Sequence, residues 1–303
     1  MLHRVSDERD DYWPPLPVAD FRSLVKELAD KTHLFALEKI QEVTAYGDRP
    51  MVALSFDDGY LDFYENTLPI LSEFRVPAHH NICPSLIDRQ ELPWTQMLNM
   101  YLQSNDVKAL TLPHNVTINR VEEKPEAYFL KICNELYKVS NKERSEFISS
   151  LRSKIPGNKM RKLMSWAQIR ECHRAGIHIG SHGMNHYNLP MISDIAELEI
   201  EVEGSRKRIA EEVGESPRIF AFPNGQWNRN SLRMVEKTGY EFALLCDDMV
   251  SEFDNCPDFM VLPRIGINQF SWKEETLRAY GFHQKVKFLV KRTPYLLQKI
   301  SLD

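Results

Sequence analysis

Short apolar runs alternate along the chain with longer segments in which apolar positions recur at helical spacing. The runs are "MVALSF" (51–56), "PAHHNIC" (77–83), "IHIGSH" (177–182), "RIFAFP" (218–223), "EFALLC" (241–246) and "FMVLPRIGI" (259–267). The amphipathic segments between them are 61–74, 166–176, 194–214 and 231–240. The runs predict buried strands and the amphipathic segments predict helices. Repeated strand–helix–strand order predicts an α/β fold with a largely parallel sheet.

Polar motifs follow directly after several of these predicted strands. Asp57 and Asp58 come after the first apolar run, and His182 ends the third. The active site of a (β/α) barrel lies at the carboxyl ends of its strands, so this placement favours a barrel. An open, doubly wound sheet is the alternative architecture.

The pattern changes between about residues 95 and 164. Highly charged helical segments replace the alternation there, with a short predicted hairpin at "TLPHNVTINR" (111–120). We interpret this region as a helical insertion within a single domain that spans 1–303. The C-terminal stretch, from about 283 to 303, is basic and amphipathic. It either packs on the domain or lies on an anionic membrane surface.

Composition and charge narrow the class of protein. With 43% apolar residues the chain can bury a core, and a net charge of −5 gives no general attraction to nucleic acid. No apolar run approaches the roughly 20 residues of a membrane-spanning helix. The charged N-terminal stretch "MLHRVSDERDDYWPP" lacks an apolar signal region, which favours a cytoplasmic location. The 5 cysteines show no C-x-x-C spacing, so neither a disulfide framework nor a thiolate zinc site is expected.

The stretch "LSFDDGY" (54–60) places two adjacent carboxylates, Asp57 and Asp58, at the end of a predicted buried strand. Like charges repel, and burying a carboxylate without a partner costs several kcal/mol by rough estimate. A bound cation would compensate both effects. The sequence therefore predicts a metal site at this strand end.

The stretch "GSHGMNHYNL" (180–189) supplies further ligands. His182 and His186 are four positions apart, which predicts that both imidazoles lie on one face of a helical turn. Two histidines and one carboxylate form a three-ligand site typical of catalytic zinc, with an open position for water. The second carboxylate then remains available to take a proton from the attacking water.

Four motifs, "LSFDDGY", "GSHGMNHYNL", "FAFPNG" and "VLPRIGI", occur in this order along the chain. They resemble those of the polysaccharide deacetylases, which are also called the NodB-homology family or family 4 carbohydrate esterases. "HRV" (3–5) and the W-x-x-I pattern at 166–169 also look like that family. The resemblance covers about 1–83 and 164–270, and the helical insertion lies outside it.

This resemblance implies a distorted, incomplete (β/α) barrel and a divalent metal, usually zinc. The implied reaction is hydrolytic removal of an acetyl group from an N-acetylated sugar. By matching position, Asp57 is the general base, and the metal ligands are Asp58, His182 and His186. The backbone N–H of Asn224, within "FAFPNG", matches the family's donor to the developing oxyanion.

Two positions depart from the family pattern. Many members carry an arginine that orients the base where this chain has Ala221, and Arg264 of "LPRIGI" is the expected substitute. The late histidine that many members use as general acid has no matching counterpart. His3 resembles a histidine that some relatives place near the metal, and it is our candidate for the acid. A structural role for His3 is the alternative.

The sequence thus predicts a metal-dependent hydrolase that removes an N-acetyl group from a sugar of a glycan, glycolipid or nucleotide-sugar precursor. The predicted substrate contacts are Pro223, Tyr187 and Trp227. One alternative is a deformylase or another small-amide hydrolase of the same fold. Another is an inactive glycan-binding protein, which the intact Asp-Asp and His-x-x-x-His set argues against and Ala221 argues for.

Overall fold

The structure is a computed structural model that describes residues 1–42, 49–121, 124–157, 160–250, 259–267 and 271–281. The predicted membrane-docking stretch, from about 283 to 303, lies outside the described residues. Its contact with a membrane therefore stays a prediction.

Six parallel strands form one curled, open sheet that has the shape of a half-barrel. Their bounds are β3 Leu54–Asp57, β4 Ala78–Ile82, β7 Ile177–Ser181, β8 Ile219–Ala221, β9 Phe242–Leu244 and β10 Met260–Leu262. Their order across the sheet is β10-β9-β8-β7-β4-β3, which follows the chain without reversal. A doubly wound sheet needs a point where this order reverses. The predicted incomplete (β/α) barrel is thus confirmed, and the doubly wound alternative is wrong.

Nearly every residue of these strands is buried, as expected where both faces of a parallel sheet are covered. The apolar run 51–56 was expected to form one strand, but the structure divides it at Ala53. The first part is β2, Met51–Val52, which pairs in parallel with β1, His33–Leu34, in a separate two-stranded sheet. Only the second part, β3, joins the large sheet. An apolar run shows that a segment is buried but does not show with which strand it pairs.

Helices cover the sheet in the predicted alternation. Their bounds are α1 Val18–Lys31, α2 Leu68–Phe74, α3 Pro84–Arg89, α7 Trp166–Arg174, α8 Ile195–Glu199, α9 Ser205–Val213, α10 Arg229–Lys237 and α11 Trp272–Ala279. The predicted long helix 194–214 is continuous, but a π-helical turn, Ile200–Gly204, joins α8 to α9. None of the described helices is long and apolar enough to cross a membrane.

The region predicted as a helical insertion contains the expected helices and hairpin. The helices are α4 Trp94–Ser104, α5 Pro125–Leu136 and α6 Asn141–Arg152, and the antiparallel hairpin pairs β5 Ala109–Thr111 with β6 Thr117–Asn119. Two reciprocal hydrogen bonds attach α6 to the barrel. The Asn188 N–H donates to Asn141 Oδ1 (2.9 Å), and Asn141 Nδ2 donates to the Asn188 carbonyl (3.2 Å). This region therefore lies beside the loop that follows β7.

The N-terminal residues bridge the two edges of the curled sheet. Leu2 pairs in parallel with Phe56 of β3, and the Ile267 N–H, beyond β10, donates to the Met1 carbonyl (2.8 Å). The segment after β10 is thereby held close to the end of β3. This arrangement brings the fourth sequence motif next to the first.

Candidate metal and active site

The register of the sheet brings the sequence motifs together at its carboxyl edge. Asp57 at the end of β3 pairs with Asn81 of β4, and Ser181 at the end of β7 pairs with both Ile82 and Phe220. The loops that carry the motifs therefore leave the sheet at one level. This is the edge at which (β/α) barrels place their active sites.

The turn after β3 points its two carboxylates in different directions. Asp58 has a φ of 80°, in the left-handed region that non-glycine residues rarely adopt. The Asp58 N–H donates to the Asn81 carbonyl (3.0 Å), and the Gly59 N–H donates to His80 Nε2 (3.0 Å). These bonds to the neighbouring strand hold the unfavourable conformation in place. Such strain is common at functional sites.

The two histidines of the second motif converge from a loop, so the predicted helical turn is wrong. Gly183 and His186 both have a positive φ (76° and 58°), which a helix does not allow. Glu201, a buried carboxylate in the π-helical turn, accepts the N–H groups of Met184 and Asn185, both at 3.0 Å. This carboxylate replaces the backbone acceptors of a helix. The imidazole centroids of His182 and His186 still lie only 5.0 Å apart.

Asp58, His182 and His186 form a buried group whose ligand atoms all lie within 4.8 Å of one another. Asp58 Oδ1 is 3.5 Å from His182 Nε2 and 3.3 Å from His186 Nε2. No described residue forms a hydrogen bond with this buried oxygen. A buried carboxylate oxygen without a partner, facing two imidazoles, suits a divalent cation.

The tautomer of His182 also suits a metal ligand. Its Nδ1 lies 2.8 Å from the Ala221 carbonyl, which can only accept a hydrogen bond, so Nδ1 carries the proton. The lone pair is therefore on Nε2, which faces Asp58. Burial lowers the pKa of His182 to about 4, so the imidazole is neutral at physiological pH. A backbone acceptor that fixes the tautomer in this way is typical around metal-binding histidines.

Asp57 lies beside this group but is held by an arginine instead. Arg264 contacts both carboxylate oxygens of Asp57, with Nη1 2.9 Å from Oδ1 and Nη2 2.9 Å from Oδ2. Asn81 Nδ2 donates to Oδ1 as well (2.7 Å). Burial raises the pKa of Asp57, but the charge and the hydrogen bond of Arg264, together with the nearby imidazoles of His182 and His3, outweigh burial and hold the pKa well below its usual range. Asp57 is thus an ionised carboxylate next to the candidate metal group.

The family to which the chain belongs follows from a match to a known family model. The model described as polysaccharide deacetylase matches residues 45–152 and 153–243. The chain belongs to the polysaccharide deacetylase family. Members of this family use a divalent metal and act on N-acetylated carbohydrates. Among the described residues, Asp58, His182 and His186 form a group that could bind such a metal ion.

Solved structures of other deacetylases show the same fold. The deacetylase PplD of Streptococcus pyogenes, in complex with acetate, is 14% identical with a TM-score of 0.61, covering 92% of this chain and 95% of that one. A polysaccharide deacetylase of Bacillus cereus is 16% identical (TM-score 0.56; 92% and 67% covered). IcaB of Ammonifex degensii is 14% identical (TM-score 0.56; 91% and 94% covered). No curated protein matches the chain at a significant level.

In this family member, the arginine contact predicted from the sequence is present. Position 221 is alanine, whose carbonyl binds His182, and Arg264 from beyond β10 contacts the candidate base. Arg264 Nε donates to the Leu245 carbonyl and Nη1 to Ser55 Oγ, both at 2.8 Å. These bonds fix the guanidinium against Asp57. Its role in activity remains a prediction.

Replacing Arg264 with alanine is expected to move the acidic limb of the pH–rate profile to higher pH. The guanidinium lowers the pKa of Asp57, so its loss raises that pKa. A base works only when ionised, so activity should then be lost at a higher pH than in the parent. Rates measured across the acidic range test this. The Arg208→Ala variant, which removes a surface partner of Asp88, is the control. An unmoved limb would contradict the role.

The structure places His3 and Asn224 near the candidate site. His3 packs edge-to-face on Trp13 (5.0 Å between centroids), and its buried Nδ1 has no hydrogen-bond partner among the described residues. Burial lowers the pKa of His3, while the two carboxylates oppose that shift. Asn224 has a φ of 55°, and no described residue accepts its backbone N–H. The assignments of general acid and oxyanion donor stay predictions.

The predicted substrate contacts lie in three different settings. Pro223 is buried in the turn after β8, whereas Trp227 is 44% exposed. Tyr187 lines a cavity together with His186. Their contacts with a carbohydrate stay predictions.

Sequence reasoning missed several residues that hold the site together. Asn81 binds Asp57, Glu201 fixes the histidine loop, and the Tyr137 hydroxyl donates to Asn224 Oδ1 (3.3 Å). Asn81 had a usable signal, because it is a polar residue inside the apolar run "PAHHNIC". Glu201 lies in a charged helical segment and Tyr137 directly follows the amphipathic helix α5, where nothing in the sequence distinguishes them from surface residues.

Proposed function

We propose that this protein is a metal-dependent hydrolase that removes an N-acetyl group from a sugar of a glycan, glycolipid or nucleotide-sugar precursor. The observation that carries this proposal is that a candidate metal-binding group and an ionised carboxylate lie side by side at the carboxyl edge of the sheet. Asp58, His182 and His186 form a buried group suited to a divalent ion, and two imidazoles with one carboxylate favour zinc. Asp57 stands beside them, ionised and held by Arg264.

The chain's own residues supply the proton transfers. A divalent ion bound at this group would polarise the acetamide carbonyl and lower the pKa of an attacking water. Asp57 accepts the proton of that water, since Arg264 and Asn81 bind its carboxylate and keep it ionised. The Asn224 N–H donates to the carbonyl oxygen as negative charge develops there. His3, in its protonated form, gives a proton to the departing amine; burial opposes this form, and the charges of Asp58 and Asp57 favour it.

An assay of acetate release tests this proposal. The protein is incubated with N-acetylglucosamine oligomers and with nucleotide- or lipid-linked N-acetyl sugars, in the presence of zinc or of a chelator. We expect acetate release from at least one of these substrates, with loss of activity in the chelator. A formylated sugar in the same assay tests the deformylase alternative. Zinc-loaded protein that releases no acetate from any of them would refute the proposal.

A further inference from the structure

A cavity of about 280 Å³ opens beside the candidate metal group, on the side of the helical region. His186 and Tyr187 lie on one wall, and Trp94 of α4 and Arg144 of α6 lie on another. Its size is near the lower end of small-ligand sites. A substrate whose acetamide reaches His186 therefore has room to place a neighbouring group in this cavity.

Arg144 is the unusual residue of this cavity because it is a buried cation with no acidic partner among the described residues. Its relative exposure is 1%, and no described carboxylate lies within ion-pairing distance. Nη1 donates to the Leu136 carbonyl at the end of α5 (3.2 Å), Nη2 donates to Asn141 Oδ1, and the guanidinium lies 5.2 Å from the Trp94 ring centroid. These contacts compensate the charge only in part, since buried charges are ordinarily paired with an opposite charge.

The remaining charges of the cavity wall are also mainly positive. Arg89 and Arg152 share one carboxylate, that of Glu91, at 2.8 and 3.1 Å. Three guanidinium groups therefore face one carboxylate around the cavity. Ser145 and Ser149 add exposed hydroxyl groups from α6. Arginine forks and hydroxyl donors are the groups that bind carboxylates and phosphates in proteins.

We propose that this cavity is a subsite for an anionic group, so that the preferred substrate is an N-acetylated sugar that carries a carboxylate or a phosphate close to its acetamide. This inference rests on the proposed deacetylase function. The anion binds the unused N–H groups of Arg144 and supplies the negative charge that this guanidinium lacks. A neutral sugar leaves Arg144 unpaired, so the anionic one binds more tightly.

Binding of small probes tests the subsite separately from activity. N-acetylglucosamine, N-acetylglucosamine 1-phosphate and N-acetylglucosaminuronic acid are titrated by ligand-observed NMR, with zinc and again with a chelator. We expect at least one anionic probe to bind about tenfold more tightly than the neutral sugar in both conditions, because a charge-assisted hydrogen bond is added. The phosphate and carboxylate probes identify which anion is preferred.

Two variants on α6 test whether the preference for anionic probes arises in this cavity. Replacing Arg144 directly risks unfolding, so Ser149→Glu is used to add a negative charge to the cavity wall. We expect this variant to reduce the anionic preference several-fold. The matched control is Ser150→Glu, which adds the same charge at the next exposed position, outside the cavity. It should leave the preference unchanged.

The outcomes separate this inference from the proposed function. No anionic preference, a preference that disappears in the chelator, or equal effects of the two glutamate variants would overturn the subsite. Acetate release from neutral oligomers in such a case would leave the deacetylase proposal intact. An anionic preference without turnover of any N-acetyl sugar would refute the deacetylase and keep the subsite.

Discussion

Asp57→Asn is expected to abolish nearly all turnover while the protein keeps its metal. The asparagine amide has a similar shape, but it cannot accept the proton of the attacking water. A general base is typically worth about 10²- to 10⁴-fold in rate. Asp57 lies outside the group of three candidate metal ligands, so its replacement should not release the ion. The measurements are acetate release and metal content on the same preparation.

A lower stability of the Asp57→Asn protein must be distinguished from the loss of its catalytic base. Arg264 is buried against Asp57, and a buried charge that loses its partner typically destabilises a protein by about 3–5 kcal/mol. Thermal unfolding of the variant shows whether it is folded at the assay temperature. The Asp88→Asn variant is the matched control, because its carboxylate binds Arg208 and Trp166 on the surface. A folded Asp57→Asn protein with turnover within a few-fold of the parent would contradict the base assignment.

The sheet was predictable because its strands are both apolar and short. Strands buried on both faces of a parallel sheet need continuous apolar runs, and such runs stand out between charged helices. The division at Ala53 was not predictable. Met51–Val52 and Leu54–Asp57 belong to one uninterrupted run, 51–57, and only the pairing of Met51–Val52 with His33–Leu34 separates them. The bridge between the sheet edges was also missed, because the short stretch at Met1 and Leu2 shows no strand pattern.

The candidate metal group was predictable for a chemical reason, whereas its local geometry was not. Buried acids and histidines at strand ends have few roles other than binding a cation. The spacing of His182 and His186 suits a helical turn, but positive φ angles at Gly183 and His186 give the same convergence in a loop. The choice between them depends on Glu201, which lies 17 positions after Met184 in the next helical segment. A contact between two consecutive elements at that separation leaves no local pattern in the sequence of the loop.

Arg264 illustrates the limit of reasoning from residues alone. Its position within the apolar run 259–267 is also compatible with an ion pair on the surface. Only the resemblance to the deacetylases, together with Ala221, predicts that it reaches Asp57. The physical reason is the curling of the sheet, which places the segment after β10 close to the end of β3. Curvature of this kind arises from the whole sheet, not from any one strand.

His182→Ala is expected to lose the metal and, with it, all measurable turnover. The substitution removes the imidazole, which is one of three candidate ligands. His182 is the ligand whose tautomer is fixed by the Ala221 carbonyl. Loss of a group that merely orients a ligand typically costs 10- to 100-fold in metal affinity, so loss of the ligand itself should cost at least about 100-fold. Metal analysis after dialysis measures this directly. The control is His173→Ala, which removes a histidine of α7 that lies 3.4 Å from Glu215 and outside the candidate metal group.

Thermal unfolding gives a second readout that does not depend on activity. An ion that binds only the folded state stabilises it by about 2.7 kcal/mol when present at 100 times its dissociation constant. Added zinc should therefore raise the unfolding temperature of the parent and of His173→Ala but not that of His182→Ala. Because the asparagine variant at position 57 should keep this zinc response, the two variants together separate metal binding from proton transfer. Undiminished zinc in His182→Ala, with an unchanged rise in unfolding temperature, would place the metal elsewhere.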